Sequence, residues 1–151
     1  MAIDRAFVAE NDTERMRLKA LVERLSDEHL SHPMPAGWTV AGVLAHLAFW
    51  DARALYLTKK YESGIAPSKD DHESGDVHWI NDSAKPLCLA LPPRRAAQLA
   101  VELAEETDAR VAGLSDELLE QIIAITPPFN LSRASHRREH LDEIEASLSV
   151  G

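Results

Sequence analysis

Residues 39–62 read TVAGVLAHLAFWDARALYLTKKYE, a stretch with one continuous helical pattern of apolar side chains. The apolar positions recur at the spacings that place side chains on one stripe of a helix: Val43, Leu47, Trp50 and Ala54. Thr39 is a side-chain type that caps helix N-termini, and Gly64 follows the pattern at its other end. The stretch therefore predicts a core helix, helix two of the chain.

Three further segments show the same periodicity, so the fold is predicted to be all-α. Helix one covers about residues 3–25, and the prolines and glycine of SHPMPAGW (31–38) break the chain before helix two. Helix three begins after the prolines at 92–93, and helix four begins at about Ser132. We expect a four-helix bundle in one domain, residues 1–151. No β-strand is predicted, because the β-prone QIIAI at 121–125 has no partner.

The connection between helices two and three is long. Residues 63–86, SGIAPSKDDHESGDVHWINDSAKP, are polar and rich in Ser, Asp, Gly and Pro. This composition predicts a crossover that passes one end of the bundle, with a short helical turn near residues 78–84.

Composition narrows the classes of function. The net charge of -9 opposes binding to nucleic acid and to anionic membranes. The single cysteine, Cys88, excludes an intrachain disulfide framework, and its apolar neighbours indicate a buried thiol without a catalytic role. The N-terminal segment carries acids where a signal peptide needs an apolar run, and no apolar stretch is judged long enough to span a bilayer. We expect a cytoplasmic protein.

Helix four contains the pair of histidines that points to a metal. In SHRREHLDEI (135–144), His136 and His140 are four residues apart, so both imidazoles share one face of the helix. A metal site needs at least one more ligand.

His46 is the natural third ligand, because it projects from the apolar side of helix two. A repeat supports this choice: LSDE occurs at 25–28 and again at 114–117, each time before a connector and a histidine-bearing helix. If the repeat is structural, it brings His46 and His136 to comparable places in two facing hairpins. The alternative is a chance match, because Ser followed by acids is an ordinary helix-start signal.

The alternative for each histidine is a hydrogen-bonded core residue, which is the commoner role of a lone histidine on an apolar face. Three together favour a cation, because burying three imidazoles without one is costly. Three neutral ligands leave a coordination position open, which is typical of catalytic rather than structural zinc. The remaining histidines at 29, 32 and 72 are expected to be solvent-exposed.

The run LSDEHLSHPMPAGWTVAGVLAHLAFWDARAL, with HRREHLDEI ninety residues later and the polar crossover between them, resembles the DinB/YfiT-like superfamily of four-helix metal-binding proteins. That superfamily includes the N-terminal domains of mycothiol-dependent maleylpyruvate isomerases and bacterial thiol S-transferases. The resemblance implies that His46, His136 and His140 bind a divalent metal and that a low-molecular-weight thiol takes part. A site of three histidines suits zinc, nickel, cobalt or ferrous iron, of which zinc or nickel is expected first. It also implies a bacterial protein.

Three other residues are predicted to belong to the site. Relatives often carry glutamine three residues after the last ligand, where this chain has Glu143. This carboxylate is expected to orient a ligand, contact the metal or act as a base. The alternative is a solvated acid in the DEIE run. Trp50, one turn beyond His46, and His78, in the crossover, are the predicted substrate contacts.

Two functions of different classes follow. The first is a metal-dependent enzyme of the thiol S-transferase or hydrolase type that acts on a small-molecule substrate. The second is a non-catalytic metal-binding or stress-associated helical protein. A homodimer is expected for either, because small bundles gain burial by pairing helix faces.

Overall fold

The computed structural model of this chain describes residues 2–71, 77–125 and 129–149. These residues form seven α-helices, named α1 (Ala6–Arg24), α2 (Asp27–Leu30), α3 (Val40–Glu62), α4 (His78–Ala90), α5 (Pro93–Ala112), α6 (Asp116–Ala124) and α7 (Ala134–Leu148). Two short strands, β1 (Pro33–Met34) and β2 (Trp38–Thr39), pair in antiparallel fashion. The prediction of a mostly helical chain is confirmed.

The four long helices are those that the apolar periodicity predicted, and α3 lies among the others. It packs against α5, α4 and α7, and α1 packs against α5 and α7. Contrary to the sequence-based expectation, α3 is long and apolar enough to cross a membrane by length and composition, but 78% of its most apolar window is buried inside the protein. Its apolar length is explained by packing on several sides.

The start of α3 forms as predicted. The hydroxyl of Thr39 accepts a hydrogen bond of 3.0 Å from the backbone N–H of Gly42. Gly42 also allows close packing of α4, since a Cβ placed there would lie 2.8 Å from a methyl carbon of Leu89. The helix ends at Glu62, two residues before Gly64.

The connectors contain more regular structure than the sequence suggested. The segment between the first two long helices holds α2 and the β1–β2 ribbon, so the prediction of no strand is wrong for these four residues. Their pairing closes around a turn at Pro35–Gly37, in which Ala36 has a positive φ of 59°. The β-prone run at 121–125 lies mainly in α6. A local pattern could not show these pairings, because they depend on packing.

The repeated LSDE motif marks two helix starts. Ser26 caps α2 by accepting a hydrogen bond from the backbone N–H of His29, and Ser115 caps α6 by accepting one from that of Leu118. At α2 the His29 ring returns the contact, accepting from the N–H of Ser26 at 3.2 Å. The repeat therefore has a structural meaning as a helix-start signal.

The crossover contains a complete helix where a single turn was predicted. Helix α4 runs for 13 residues and includes Pro86. It is tied to α3 by Trp50, whose Nε1 donates a hydrogen bond of 2.8 Å to Oδ1 of Asn81. Cys88 is buried on this helix, as expected, and burial raises the pKa of its thiol. The predicted exposure of His72 concerns a residue outside the described ranges.

The apolar core consists of two clusters. The larger includes Leu18, Leu44, Leu47, Ala100 and Leu141, and the smaller includes Phe7, Leu57, Tyr61, Val111 and Leu119. Along α1, α3 and α5, the residues of one cluster are separated from those of the other by buried polar side chains. A polar layer therefore divides the core.

That layer is a network of buried charges. Arg137 of α7 is 1% exposed and donates hydrogen bonds of 2.7 and 2.8 Å to the two carboxylate oxygens of Asp108 in α5. It also donates to Asp51 of α3 at 3.1 Å. Arg133 donates its Nε to the second oxygen of Asp51 at 3.0 Å, and its backbone N–H to Asn11 of α1 at 2.7 Å. Arg133 and Arg137 thus pair with the buried anions Asp51 and Asp108, and Asp108 also accepts a hydrogen bond of 2.8 Å from Arg15.

Asp108→Asn tests how much the fold depends on this network. The change keeps the side-chain size but leaves Arg137 with one buried anion in place of two, so we expect a loss of about 3 kcal/mol in the free energy of unfolding. Urea denaturation followed by circular dichroism measures it. Glu102→Gln, which breaks an exposed ion pair with Arg95 on the same helix, is the control and should cost less than about 1 kcal/mol. Equal losses of unfolding free energy in Asp108→Asn and Glu102→Gln would contradict a large contribution of the buried network to stability.

Candidate metal centre

Three imidazoles from two helices converge at one point. The Nε2 atom of His136 lies 3.1 Å from Nε2 of His46 and 3.1 Å from Nε2 of His140. The ring centroids are 4.7 to 5.0 Å apart, and the three ligand nitrogens all lie within 4.8 Å of one another. Within residues 2–71, 77–125 and 129–149, this is the one group of three or more metal-ligating side chains found close enough to share an ion.

Helix geometry and the buried network explain the convergence. His46 lies on the heavily buried first half of α3 and is 7% exposed. His136 and His140 are one turn apart on α7, so their side chains share a face. Arg137, next to His136, and Asp51, five residues after His46, are joined directly by a hydrogen bond. That bond fixes the positions of α7 and α3 relative to each other at the level of the histidines.

The electrostatics keep two of the rings neutral. Burial lowers the pKa of His46 to about 4, and the neighbouring His140 lowers it further. The pKa of His136 is lowered to about 3, first by burial and then by His140, His46 and the guanidinium groups of Arg133 and Arg137. Neutral imidazole is the form that binds metal ions. At neutral pH these two rings therefore offer lone pairs without having to lose a proton.

Glu143 orients the third ring. Its Oε2 lies 3.0 Å from Nδ1 of His140. A carboxylate only accepts hydrogen bonds, so the imidazole hydrogen belongs on Nδ1 and the lone pair of Nε2 faces the other two histidines. The sequence left open whether Glu143 is solvated or attached to the site. In the structure the side chain is about half exposed and contacts the His140 ring.

The three residues fit a divalent ion in donor type, and two of the three nitrogen separations are close to those of a tetrahedral site. Zinc binds imidazole nitrogen at about 2.0–2.1 Å, and tetrahedral angles at that length place two nitrogens about 3.4 Å apart. The two observed separations of 3.1 Å differ from this by a few tenths of an ångström. Because the hydrogen of His140 belongs on Nδ1, its Nε2 carries only a lone pair. Hydrogen bonds among the three Nε2 atoms therefore cannot use all their lone pairs, whereas one cation can bind all three.

The histidines line a cavity of about 750 Å³. Helix α7 contributes residues between His136 and Ser147, α4 contributes residues near its N-terminus, and the β1–β2 ribbon and α3 form the remaining wall. The apolar lining residues are Met34, Pro35, Trp38, Val43, Val77 and Ala146. A volume of this size accommodates a small organic ligand beside the histidines.

The two predicted substrate contacts have different places. His78 lines the cavity at the start of α4. Trp50 does not line it: the indole is 8% exposed and reaches the cavity only through its hydrogen bond to Asn81, which is a lining residue. The aromatic wall is instead supplied by Trp38, whose ring centroid is 5.8 Å from that of His46. The ribbon that carries Trp38 was not predicted, so its approach to the site could not be foreseen.

Several residues of the site were missed by sequence reasoning. They are the lining residues Asn81, Asp82 and Glu139 and the buried network of Asp51, Asp108, Arg133 and Arg137. A signal for the network exists: Asp51 and Asp108 each follow an apolar core residue by four positions, Leu47 and Ala104, and so lie on core-facing stripes. Acids on apolar stripes, with two arginines at the start of the histidine-bearing helix α7, indicate buried ion pairs.

The lowered pKa values predict how the metal-free protein responds to acid. In the unfolded chain a histidine takes up a proton at about pH 6.5, whereas His136 resists protonation in the folded protein down to about pH 3. As pH falls from about 6.5, the unfolded state binds more protons and folding stability decreases, by up to about 1.4 kcal/mol per pH unit for each such group.

The test is the free energy of unfolding, measured by urea denaturation at several pH values between 4.5 and 7. The decrease in acid should be shallower in His136→Gln than in the unmodified protein. His29→Gln, which removes an exposed imidazole and retains a side chain able to accept from the Ser26 N–H, should follow the unmodified protein. Parallel curves for all three proteins would show that His136 is not held neutral by burial.

Comparison with known protein families gives one match. The profile of the DinB superfamily matches residues 10–141, a region that contains α3, α4, α5 and the first half of α7. Comparisons with curated proteins and with solved structures give no match. The matched region covers most of the chain and contains all three converging histidines, and the chain belongs to the DinB superfamily.

Proposed function

We propose that this protein is a metal-dependent enzyme of the thiol S-transferase or hydrolase type, with His46, His136 and His140 as ligands of a divalent ion. The observation that carries the proposal is the convergence of three imidazole nitrogens at the wall of a cavity of about 750 Å³. Three protein ligands beside an open space are typical of catalytic sites, because a fourth position stays available. Zinc and nickel are the ions that we expect first.

A divalent ion in this site supplies Lewis acidity, which lowers the pKa of a thiol or a water molecule. The protein supplies the positions of the groups around it. Helices α3 and α7 hold the three rings from opposite sides, and the bond between Arg137 and Asp51 keeps these helices in register. Trp38, Val43 and Met34 give the cavity an apolar wall that excludes water from one side of a bound substrate.

Glu143 has two roles in the proposal. By accepting the Nδ1 hydrogen of His140 it fixes the ring and raises its basicity. Because the carboxylate also lines the cavity and is about half exposed, it can accept a proton from a bound substrate and pass it to solvent. A thiol or water molecule would lose that proton as its sulfur or oxygen attacks an electrophile.

The non-catalytic alternative uses the same ligands. A metal-binding protein without activity needs the three histidines but has no use for a cavity of this volume next to them. The cavity, lined by both apolar and titratable groups, therefore favours the enzyme.

We also infer that the four long helices form one domain with the four-helix bundle arrangement expected from the family. Support comes from the contacts of α1 with α5 and α7 and of α3 with the same two helices, which close a ring of four. Residues 63–92, with α4, then form the crossover. Homodimerisation and cytoplasmic location stay predictions.

Metal binding is tested by titrating the protein, prepared without an affinity tag and stripped by chelator, with zinc and with nickel. We expect one ion per chain. His46→Ala, His136→Ala and His140→Ala should each weaken binding by at least about a hundredfold, because each removes a ligand, and Glu143→Gln by about ten- to a hundredfold. His29→Gln is the matched control and should bind as the unmodified protein does. Unchanged affinity in His46→Ala would contradict the three-histidine site.

Activity is tested with the metal-loaded protein, a small thiol and 1-chloro-2,4-dinitrobenzene. In this reaction a carbon–sulfur bond forms, chloride leaves the ring and the thiol proton passes to the solvent. We expect thiol consumption that is abolished in His46→Ala and reduced in Glu143→Gln. For the hydrolase type, the same variants are compared by the release of nitrophenol from 4-nitrophenyl acetate. A protein that binds one ion but consumes neither thiol nor ester across a panel of substrates would favour the non-catalytic alternative.

A further inference from the structure

The cavity has an uneven distribution of charge. Three carboxylates line it, Asp82 from α4 and Glu139 and Glu143 from α7, and no lysine or arginine does so among the residues that the structure describes. Glu143 is engaged with His140. For Asp82 and Glu139 the described part of the chain shows neither an ion pair nor a side-chain hydrogen bond. Both residues are exposed, so two carboxylates without a partner among the described residues border the cavity from different helices.

Cations close to the cavity are already engaged. Lys85, one turn after Asp82, places Nζ 5.3 Å from the centre of the Trp38 ring and donates to the carbonyl of Ala36. Arg133 and Arg137, near His136, are buried and bound to Asp51 and Asp108. None of these three groups is a lining residue of the cavity.

We propose that the cavity selects a thiol that also carries an amino group, with Asp82 and Glu139 receiving the ammonium while the sulfur lies at the histidine cluster. This inference rests on the proposed function and adds the class of thiol. A divalent ion and three carboxylates give the site a charge of about -1, so a carboxylated thiol would add to an existing negative excess. An ammonium group reduces that excess, and such charge complementarity determines which partner binds better.

The position of the acids supports the same reading. Glu139 follows His136 by three residues, so the two are neighbours on the surface of α7, and both line the cavity. Asp82 follows Asn81, which Trp50 holds by its hydrogen bond, so this part of α4 has a fixed place at the cavity. The sulfur and the ammonium of a small aminothiol are separated by only two carbons, a length that the cavity accommodates.

The experiment compares thiols of similar size that differ in charge. The protein is loaded with Co²⁺, and 2-aminoethanethiol, 2-mercaptoethanol and 3-mercaptopropionate are titrated while the visible cobalt spectrum is recorded. The quantity of interest is the ratio of the dissociation constants of 3-mercaptopropionate and 2-aminoethanethiol. Differences in intrinsic thiol basicity cancel when this ratio is compared between protein variants.

The ratio should fall by about fivefold or more in the double variant Asp82→Asn, Glu139→Gln relative to the unmodified protein, because both attraction and repulsion are removed. Asp82→Asn alone, on a helix without metal ligands, should give a smaller fall in the same direction. The double variant Glu117→Gln, Glu120→Gln changes the net charge equally on exposed positions of α6 and should leave the ratio unchanged.

Each outcome has one meaning. A ratio that is the same in the unmodified protein and in Asp82→Asn, Glu139→Gln overturns this inference and leaves the proposed function standing. A cobalt spectrum that none of the three thiols changes overturns the thiol-transfer function, and this inference with it. A fall that also occurs in Glu117→Gln, Glu120→Gln shows an effect of overall charge and overturns the assignment to Asp82 and Glu139.

Discussion

The bond between Arg137 and the two aspartates Asp51 and Asp108 is the constraint on which the site depends. A guanidinium group that is 1% exposed cannot remain without anions, so α7 has to lie where α3 and α5 present their carboxylates. Apolar contacts alone tolerate small shifts between helices, whereas the directed bonds of a guanidinium group do not. Because His136 is adjacent to Arg137, the same bonds that define the position of α7 also aim His136 toward His46.

The network and the histidine cluster also act on each other through charge. Arg133 and Arg137 add to the burial that lowers the pKa of His136 to about 3, so the arginines that hold the helix also keep this ring neutral. The two aspartates offset the arginine charges, which prevents a strongly positive field behind a site proposed to bind a cation. On the cavity side the field is reversed, because Asp82, Glu139 and Glu143 are anionic. The histidines therefore lie between a neutralised interior and an acidic opening.

The cavity combines elements that are distant along the chain. The ribbon before α3 brings Trp38 to within ring contact of His46, and α4 brings His78, Asn81 and Asp82 to the opposite part of the lining. Gly42 leaves room for Leu89 of α4, because a Cβ there would lie 2.8 Å from a methyl carbon of that side chain. The DinB superfamily match covers all these elements. A function that needs both a bound ion and an enclosed substrate would use each of them.

Sequence by itself determined the helical class, the four long helices and the three histidines that converge, because these depend on local periodicity and on residue chemistry. Thr39 and Ser115 as helix caps were readable for the same reason: a cap acts within four residues of itself. Tertiary structure alone decided that Trp38 rather than Trp50 forms the aromatic wall, and that α4 is a full helix. It also decided that Arg137 is buried. From the sequence alone, a charged residue between two histidines is expected to be solvated, because its anionic partners on α3 and α5 are distant along the chain. Contacts between residues tens of positions apart leave no periodic signal in the chain, and the site's walls and its charge are made of such contacts.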